Sequence, residues 1–138
     1  RATLQNGPRV VSEAVSTQAR DMLRQVVVRG TASFGEVAGY EVGGKTGTAD
    51  KPKENGGGYY DDKVITTFAS VFPANDPKYI LIVTFDEPSE NSGAEPRRTA
   101  GWTAVPVAAE MIRRTAPLLG LRPQVDTSEP IGVTLTSN

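Results

Sequence analysis

The sequence of 138 residues predicts an α+β fold in which an antiparallel sheet is flanked by helices. Apolar residues recur at helical spacing near the start of the chain and again over residues 102–119, where Pro106 falls in the first turn. Three segments between these helices have the composition of strands, and the last two are separated only by a short turn, which favours antiparallel pairing. Strands that follow one another between two helices are typical of the α+β class.

The first helix is predicted to run from Ser12, a suitable N-cap, to Arg29, because Gly30 then ends it. Polar residues that include Arg20 and Arg24 are assigned to the solvent side of this helix. The predicted buried stripe consists of Val11, Val15, Ala19, Met22 and Val26, widened by Leu23 and Val27.

Residues 40–48 mix strand formers with glycines and predict a weak strand, whereas the polar, glycine-rich residues 50–63 predict a loop. Residues 64–72 and 79–85 are rich in β-branched and aromatic side chains and predict the two strands of a hairpin. The second of these strands is apolar on both alternating faces. We therefore expect it to lie in the centre of its sheet, covered above and below.

The composition excludes several classes of site. Histidine and cysteine are both absent, so we expect no metal site, no disulfide and no Ser-His or Cys-His pair within the chain. We expect no cofactor either. The 15 basic and 16 acidic residues give a net charge of -1 and form no basic stripe, which argues against binding to nucleic acid.

Residues 40–50 place one lysine among three glycines and several hydroxyl side chains, a composition suited to holding an anion close to the backbone. Gly39 with Lys45-Thr46 matches the phosphate-loop pattern, so one alternative function is a nucleotide-binding NTPase. Lys45-Thr46-Gly47 also matches the third motif of penicillin-recognising serine enzymes. A phosphate loop needs a helix that opens at its Lys-Thr pair, and Pro52 followed by three successive glycines disfavours that helix.

Further motifs occur at matching spacing around Lys45-Thr46-Gly47. They are Val26-Val27 with Gly30-Thr31-Ala32, Tyr40 through Ala49, Thr67-Phe68-Ala69 with Pro73, Asp86-Glu87-Pro88, and Ala104-Val105-Pro106-Val107. With this set, the chain resembles the C-terminal part of the transpeptidase domain of class B penicillin-binding proteins, and in particular that of the division-specific peptidoglycan D,D-transpeptidase. The resemblance implies a penicillin-binding/β-lactamase-like fold and a serine enzyme that cross-links peptidoglycan through an acyl-enzyme and is acylated by β-lactams.

The resemblance also implies roles for four residues on the predicted strand. Lys45 would place a positive charge beside the hydroxyl of the second family motif, and Thr46 and Thr48 would bind the carboxylate of a D-Ala-D-Ala stem peptide or a β-lactam. Gly47 would leave the backbone accessible to substrate. The amide of Thr48 would be one of two donors to the oxyanion, so Lys45 and Thr48 are the expected catalytic residues.

The family's other two motifs are not found in their expected places. The chain has no S-x-x-K, and Ser89-Glu90-Asn91 matches S-x-N only on the wrong side of Lys45-Thr46-Gly47, where a solvated turn is the better interpretation. The resemblance therefore implies that the nucleophile lies outside this chain. A non-catalytic β-lactam-sensing module is the other alternative function.

We expect residues 1–120 to be the C-terminal portion of a transpeptidase domain, incomplete alone, and residues 121–138 to be an extended or disordered tail. The expected partner is the preceding part of the same protein, as a separate polypeptide that carries S-x-x-K and S-x-N. The resemblance further implies division-machinery partners and a location at the periplasmic face of the bacterial inner membrane, with an anchor outside this chain.

Overall fold

The computed structural model describes residues 7–124, and its elements follow the predicted order. They are α1 (Glu13–Arg29), a 3-10 turn (Ser33–Gly35), β1 (Gly43–Pro52), β2 (Tyr59–Phe72), β3 (Tyr79–Asp86) and α2 (Ala104–Thr115). The strands form one antiparallel sheet in the order β1-β2-β3. The predicted α+β class is confirmed. The tail predicted from residue 121 lies, from residue 125 onwards, outside the described residues.

The core lies between one face of the sheet and the two helices. Side chains of β2 alternate, so that Thr66, Phe68, Ser70 and Phe72 are buried on the helix side of the sheet. The same face of β3 contributes Val83, and α2 with its C-cap contributes Val105, Ala108, Ile112 and Ala116. The stripe predicted for this helix also included Ala109, which is partly buried, and Leu119, which is exposed. Two of the buried polar side chains pair with each other, since the Thr66 and Thr103 hydroxyls are 3.1 Å apart.

The opposite face of the sheet is open within residues 7–124. Ile80 and Ile82 of β3 are 75% and 62% exposed, and no strand pairs with the far side of β3 among the described residues. Strand β3 is therefore an edge strand within residues 7–124, and the central position predicted for 79–85 in the sheet of the complete domain stays a prediction. Val83 of this strand packs in the core on the helix side, and Ile80 and Ile82 on the other side are exposed in the described part of the chain.

Helix α1 has the predicted ends but not the predicted buried face. The Ser12 hydroxyl accepts a hydrogen bond from Val15 N–H, and the N–H of Gly30 caps the last turn. Val27 is the helix's only buried residue, and the stripe residues Val15 and Met22 are exposed. The end of α1 reaches the core, where Val26 and Val27 pack, and the helix lies mainly against β1 and the 3-10 turn.

The arginines assigned to the solvent side of α1 instead attach the helix to residues that flank β1 and β2. Arg20 Nε donates to the Ala74 carbonyl at 3.1 Å, and Arg24 Nη1 donates to the Val42 carbonyl at 2.9 Å. Arg24 also forms an ion pair with Glu36. Guanidinium groups on long stems can reach carbonyls that the strand ladder leaves unpaired, which an apolar stripe analysis cannot detect.

The β1–β2 hairpin is longer than predicted. Residues 50–52 and 59–63 belong to strands, so the loop predicted over 50–63 shrinks to residues 53–58. Gly56, Gly57 and Gly58 all have positive φ angles, which lets the chain reverse within these six residues, and Lys53 N–H closes the loop on the Gly58 carbonyl at 3.0 Å. At its other end β1 begins at residue 43 instead of 40, because Glu41 has a φ of 43° that no strand accommodates.

Phe68 occupies the space above a glycine of β1. A Cβ atom at Gly44 would lie 2.6 Å from two ring atoms of Phe68 and 2.7 Å from the Ala69 carbonyl oxygen. By contrast, a Cβ at Gly47, three residues further along the same strand, would have no neighbour closer than 3.9 Å.

We predict that Gly44→Ala destabilises the complete protein by about 1–3 kcal/mol, because the methyl group overpacks the core against Phe68. Gly47→Ala is the matched control and is expected to change stability little. Denaturant unfolding of both variants measures the difference. Equal stability of the two would contradict this account of the core.

A second prediction concerns the charged cluster at the ends of the strands. Lys51 Nζ lies 2.8 Å from both Asp86 and Glu87, and Lys63 donates to Glu87 at 3.1 Å. Hydrogen bonds from Lys51 and then Lys63 lower the pKa of Glu87 below its ordinary value of 4.5. The carboxylate therefore stabilises the fold above that pH, and the contribution is lost as the pH falls through the lowered pKa.

Glu87→Gln should accordingly be less stable than the parent near neutral pH, and the difference should shrink in acid. Unfolding midpoints measured from about pH 7 to about pH 2 test this expectation. A difference that stays constant over this range would rule out the lowered pKa.

Candidate functional site

Strand β1 presents the candidate residues on two sides. Lys45 and Gly47 lie opposite Ala69 and Thr67 of β2, on the open face of the sheet. Thr46 and Thr48 are paired with residues of β2 that face the helices. The alternation expected for a strand thus separates the cation from the two hydroxyl groups.

The Thr46 hydroxyl lies beside the loop that follows α1. Its Oγ1 atom is 2.7 Å from Oγ1 of Thr31, which comes directly after the glycine that ends the helix. The two hydroxyls therefore share a hydrogen bond, in which either can be the donor.

The Thr48 hydroxyl lies beside the loop that precedes α2. Its Oγ1 atom accepts a hydrogen bond from the backbone N–H of Ala100 at 3.1 Å. Ala100 is buried in the core, so this contact fixes the loop to β1. Because the Thr48 oxygen accepts from Ala100, its own hydrogen is left to donate elsewhere.

These two loops and β1 enclose a pocket of about 360 Å³. The residues that line it are Thr31, Thr46, Thr48, Thr99, Ala100, Gly101 and Trp102. Four of the seven carry hydroxyl groups and none carries a carboxylate, so the pocket is suited to an anion held by hydrogen bonds. The Trp102 ring forms one wall, with the Phe34 ring 5.0 Å away between centroids and the Arg97 guanidinium 3.9 Å from its centroid.

The Lys45 ammonium donates a hydrogen bond of 2.7 Å to the carbonyl of Thr46. The side chain is exposed, and no carboxylate lies within ion-pair distance of it in the part of the chain that the structure describes. Its positive charge is therefore not neutralised locally and remains available to a group that approaches the open face of the sheet.

The phosphate-loop interpretation is wrong. Lys45 and Thr46 lie in the middle of β1, where no helix begins, so no helix N-terminus is available to hold phosphate at this pair.

Ser89 and Asn91 form a turn beyond β3, in which Ser89 Oγ donates to Asn91 Oδ1 at 2.7 Å. Within residues 7–124 no cluster of His, Cys, Asp or Glu has the arrangement of a metal site, and no helix is long and apolar enough to cross a membrane.

Sequence reasoning did not assign Thr31, Ala100 or Trp102 to the site. Thr31 lies in a segment that carried the family resemblance and Ala100 does not, and local patterns do not indicate that their two loops meet at β1. The Thr31–Thr46 contact spans 15 residues and the Ala100–Thr48 contact spans 52.

Comparison with known proteins agrees with the motifs. The model of the penicillin-binding protein transpeptidase domain matches residues 2–111. The probable peptidoglycan D,D-transpeptidase FtsI of Caulobacter vibrioides is 36% identical over 123 residues, which cover 84% of this chain and 21% of that protein. The stage V sporulation protein D of Bacillus subtilis is 37% identical over 120 residues, 87% of this chain and 18% of that protein.

Among solved structures, the transpeptidase domain of Burkholderia pseudomallei penicillin-binding protein 3 superposes with a TM-score of 0.73 at 33% identity. The match covers 87% of this chain and 34% of that one. The chain spans between 16% and 21% of the length of the first curated relatives that it matches.

The contact between Thr48 and Ala100 gives a prediction about stability. Thr48→Val should destabilise the complete protein by about 1–3 kcal/mol, because it leaves a buried N–H without its acceptor. Thr48→Ser keeps the oxygen and should be close to the parent. Unfolding in denaturant measures both variants, and a Thr48→Val variant as stable as Thr48→Ser would contradict this role.

Proposed function

The chain belongs to the penicillin-binding protein transpeptidase family, and we propose that it forms the Lys-Thr-Gly wall of the active site in a class B peptidoglycan D,D-transpeptidase. The observation that carries the proposal is the division of β1 into two sides. Two threonine hydroxyls face a pocket without carboxylates, and an unneutralised lysine faces the open side of the sheet.

Thr46 and Thr48 bind the carboxylate at the end of a D-Ala-D-Ala stem peptide, or the corresponding carboxylate of a β-lactam. A hydroxyl that donates to a carboxylate makes a charge-assisted hydrogen bond, which is stronger than one between neutral groups. Support comes from Thr48, whose oxygen already accepts from Ala100 and whose hydrogen is therefore free for such a bond.

Lys45 acts on the acyl-transfer step. The nucleophilic serine and the lysine of S-x-x-K come from sequence outside this chain, as does the S-x-N motif. The serine oxygen attacks the peptide carbonyl, and the terminal D-alanine leaves as the acyl-enzyme forms. Lys45 stabilises the negative charge that develops on oxygen, and Gly47 keeps the strand open to the substrate backbone.

The amide of Thr48 donates to the oxyanion. Strand β1 is an edge strand, so every second residue directs its N–H and C=O away from β2. The carbonyl of Thr46 accepts a hydrogen bond from the Lys45 ammonium, and we infer that this carbonyl lies on the free edge. Successive residues of β1 point their backbone groups alternately towards β2 and away from it. The Thr48 amide, two residues further along, therefore lies on the same free edge, where a substrate carbonyl can reach it. Gly47 separates the two threonines and has no Cβ to obstruct that approach.

The serine-bearing portion packs on the open face of the sheet. Ile80 and Ile82 expose apolar surface there, next to a free strand edge, and soluble proteins generally cover both features. The same placement brings the serine to the side of β1 on which Lys45 lies.

We expect the complete enzyme at the periplasmic face of the inner membrane, working with division-machinery proteins. Mass measurement of the purified protein tests whether the serine-bearing portion is a separate polypeptide.

We predict that Lys45→Ala lowers the rate of acylation of the complete protein by a labelled penicillin about a hundredfold, or ~3 kcal/mol, because the cation facing the developing charge is lost. Lys78→Ala is the matched control, since Lys78 pairs with Asp76 in the turn between β2 and β3. It should acylate like the parent.

Unchanged acylation of Lys45→Ala would refute the assignment of this strand to the active site. Transfer of the acyl group of a D-Ala-D-Ala stem peptide to an amine acceptor, measured on the same protein, separates a transpeptidase from a β-lactam-sensing module. A sensing module would be acylated by the β-lactam without carrying out this transfer.

A further inference from the structure

Two glycines fix the position of Thr31. A Cβ atom at Gly30 would lie 2.8 Å from the Val26 carbonyl oxygen, so the turn that leaves α1 is closed around a residue without a side chain. A Cβ atom at Gly101, in the loop before α2, would lie 2.7 Å from the Thr31 carbonyl oxygen. Thr31 is therefore held between two tight backbone contacts, and its Oγ1 atom comes to lie 2.7 Å from Oγ1 of Thr46.

The shared hydrogen bond has two possible directions. If Thr46 donates to Thr31, the Thr46 hydrogen is used inside the protein. If Thr31 donates, the Thr46 oxygen is satisfied as an acceptor and its hydrogen is free to point into the pocket. Only the second arrangement leaves the Thr46 hydroxyl able to donate to an anion in the pocket.

The same arrangement already exists at the neighbouring hydroxyl. The N–H of Ala100 can only donate, so Thr48 Oγ1 is an acceptor within the protein and its hydrogen is directed elsewhere. Thr46 and Thr48 are two residues apart on β1 and line the same pocket. Each thus has one partner from a flanking loop, Thr31 from the loop after α1 and Ala100 from the loop before α2.

We propose that Thr31 is a positioning residue, which donates its hydroxyl hydrogen to Thr46 Oγ1 and thereby turns the Thr46 hydrogen towards the substrate carboxylate. The inference rests on the proposed function of Thr46. Hydrogen bonds in a chain polarise one another, so the donation from Thr31 also makes the Thr46 hydroxyl a stronger donor to the carboxylate.

The experiment compares two acylating probes on the complete protein, benzylpenicillin and its methyl ester, which lacks the carboxylate charge. Thr31→Val removes the donor at nearly constant volume, and Thr31→Ser keeps it. Thr46→Val removes the proposed carboxylate ligand. Thr115→Val makes the same chemical change at the exposed end of α2, where the Thr115 hydroxyl donates only to the Met111 carbonyl.

Thr31→Val is expected to slow acylation by benzylpenicillin about threefold to tenfold and to affect the ester much less, because only the carboxylate uses the oriented hydroxyl. Thr31→Ser should restore the parent rate, and Thr115→Val should not change it. Thr46→Val is expected to slow benzylpenicillin by roughly tenfold to a hundredfold, the range for a hydrogen bond to a charged group. Unfolding midpoints identify any variant whose loss comes from misfolding.

Two results would overturn the inference and leave the proposed function in place. One is a Thr31→Val variant that acylates at the parent rate while Thr46→Val is slow. The other is a Thr31→Val variant that slows both probes equally, which indicates a purely structural role. If Thr46→Val acylates with benzylpenicillin at the parent rate, the proposed function of Thr46 is wrong and the inference is overturned with it.

Discussion

The fold of this chain depends on the contact between the Phe68 ring and the bare backbone of Gly44. The ring is fully buried and occupies the volume that a side chain on β1 would need. It also reaches the 3-10 turn, where a Cβ at Gly35 would be 3.4 Å from the ring and 3.2 Å from Val105 of α2. One aromatic side chain of β2 thus packs against β1 and the turn after α1, and that turn itself packs against the last helix. Interiors packed this closely tolerate little displacement, so the position of β1 is fixed.

The position of β1 in turn determines which side of the sheet each part of the site faces. With Gly44 against Phe68, strand alternation turns Thr46 and Thr48 towards the two loops and Lys45 and Gly47 towards the open face. A slip of one residue would exchange the two sets. It would also direct Lys45 at the Phe68 ring, where an unpaired charge is strongly disfavoured. The register that packs the core is therefore also the register that separates the cation from the hydroxyls.

Local signals in the sequence predicted the elements well and their surroundings less well. The ends of α1, the β2–β3 hairpin and the stripe of α2 follow from a capping serine, a terminating glycine and side-chain periodicity, all of which act within a few residues. The buried face of α1 was predicted wrongly because Arg20 and Arg24 dock the helix by hydrogen bonds to carbonyls, a mode without apolar periodicity. The apolar character of β3 predicted cover on both faces, and the described residues provide it on one. A pattern can indicate that a surface needs a partner, but it cannot identify the partner.

The same distinction applies to the candidate site. The strand residues Lys45, Thr46, Gly47 and Thr48 form a contiguous motif and could be identified from the sequence. The hydrogen-bond partners of the two threonine hydroxyls, Thr31 and Ala100, could not be identified from the sequence, because each lies in a loop that a glycine allows to approach closely. Gly30 and Gly101 stand far apart in sequence, yet together they hold Thr31 against β1. In this structure the motif provides the chemical groups, and tight turns outside the motif place the Thr31 hydroxyl and the Ala100 N–H beside its two threonine hydroxyls. A substitution at either glycine should therefore disturb the proposed anion binding without altering a single residue of the motif.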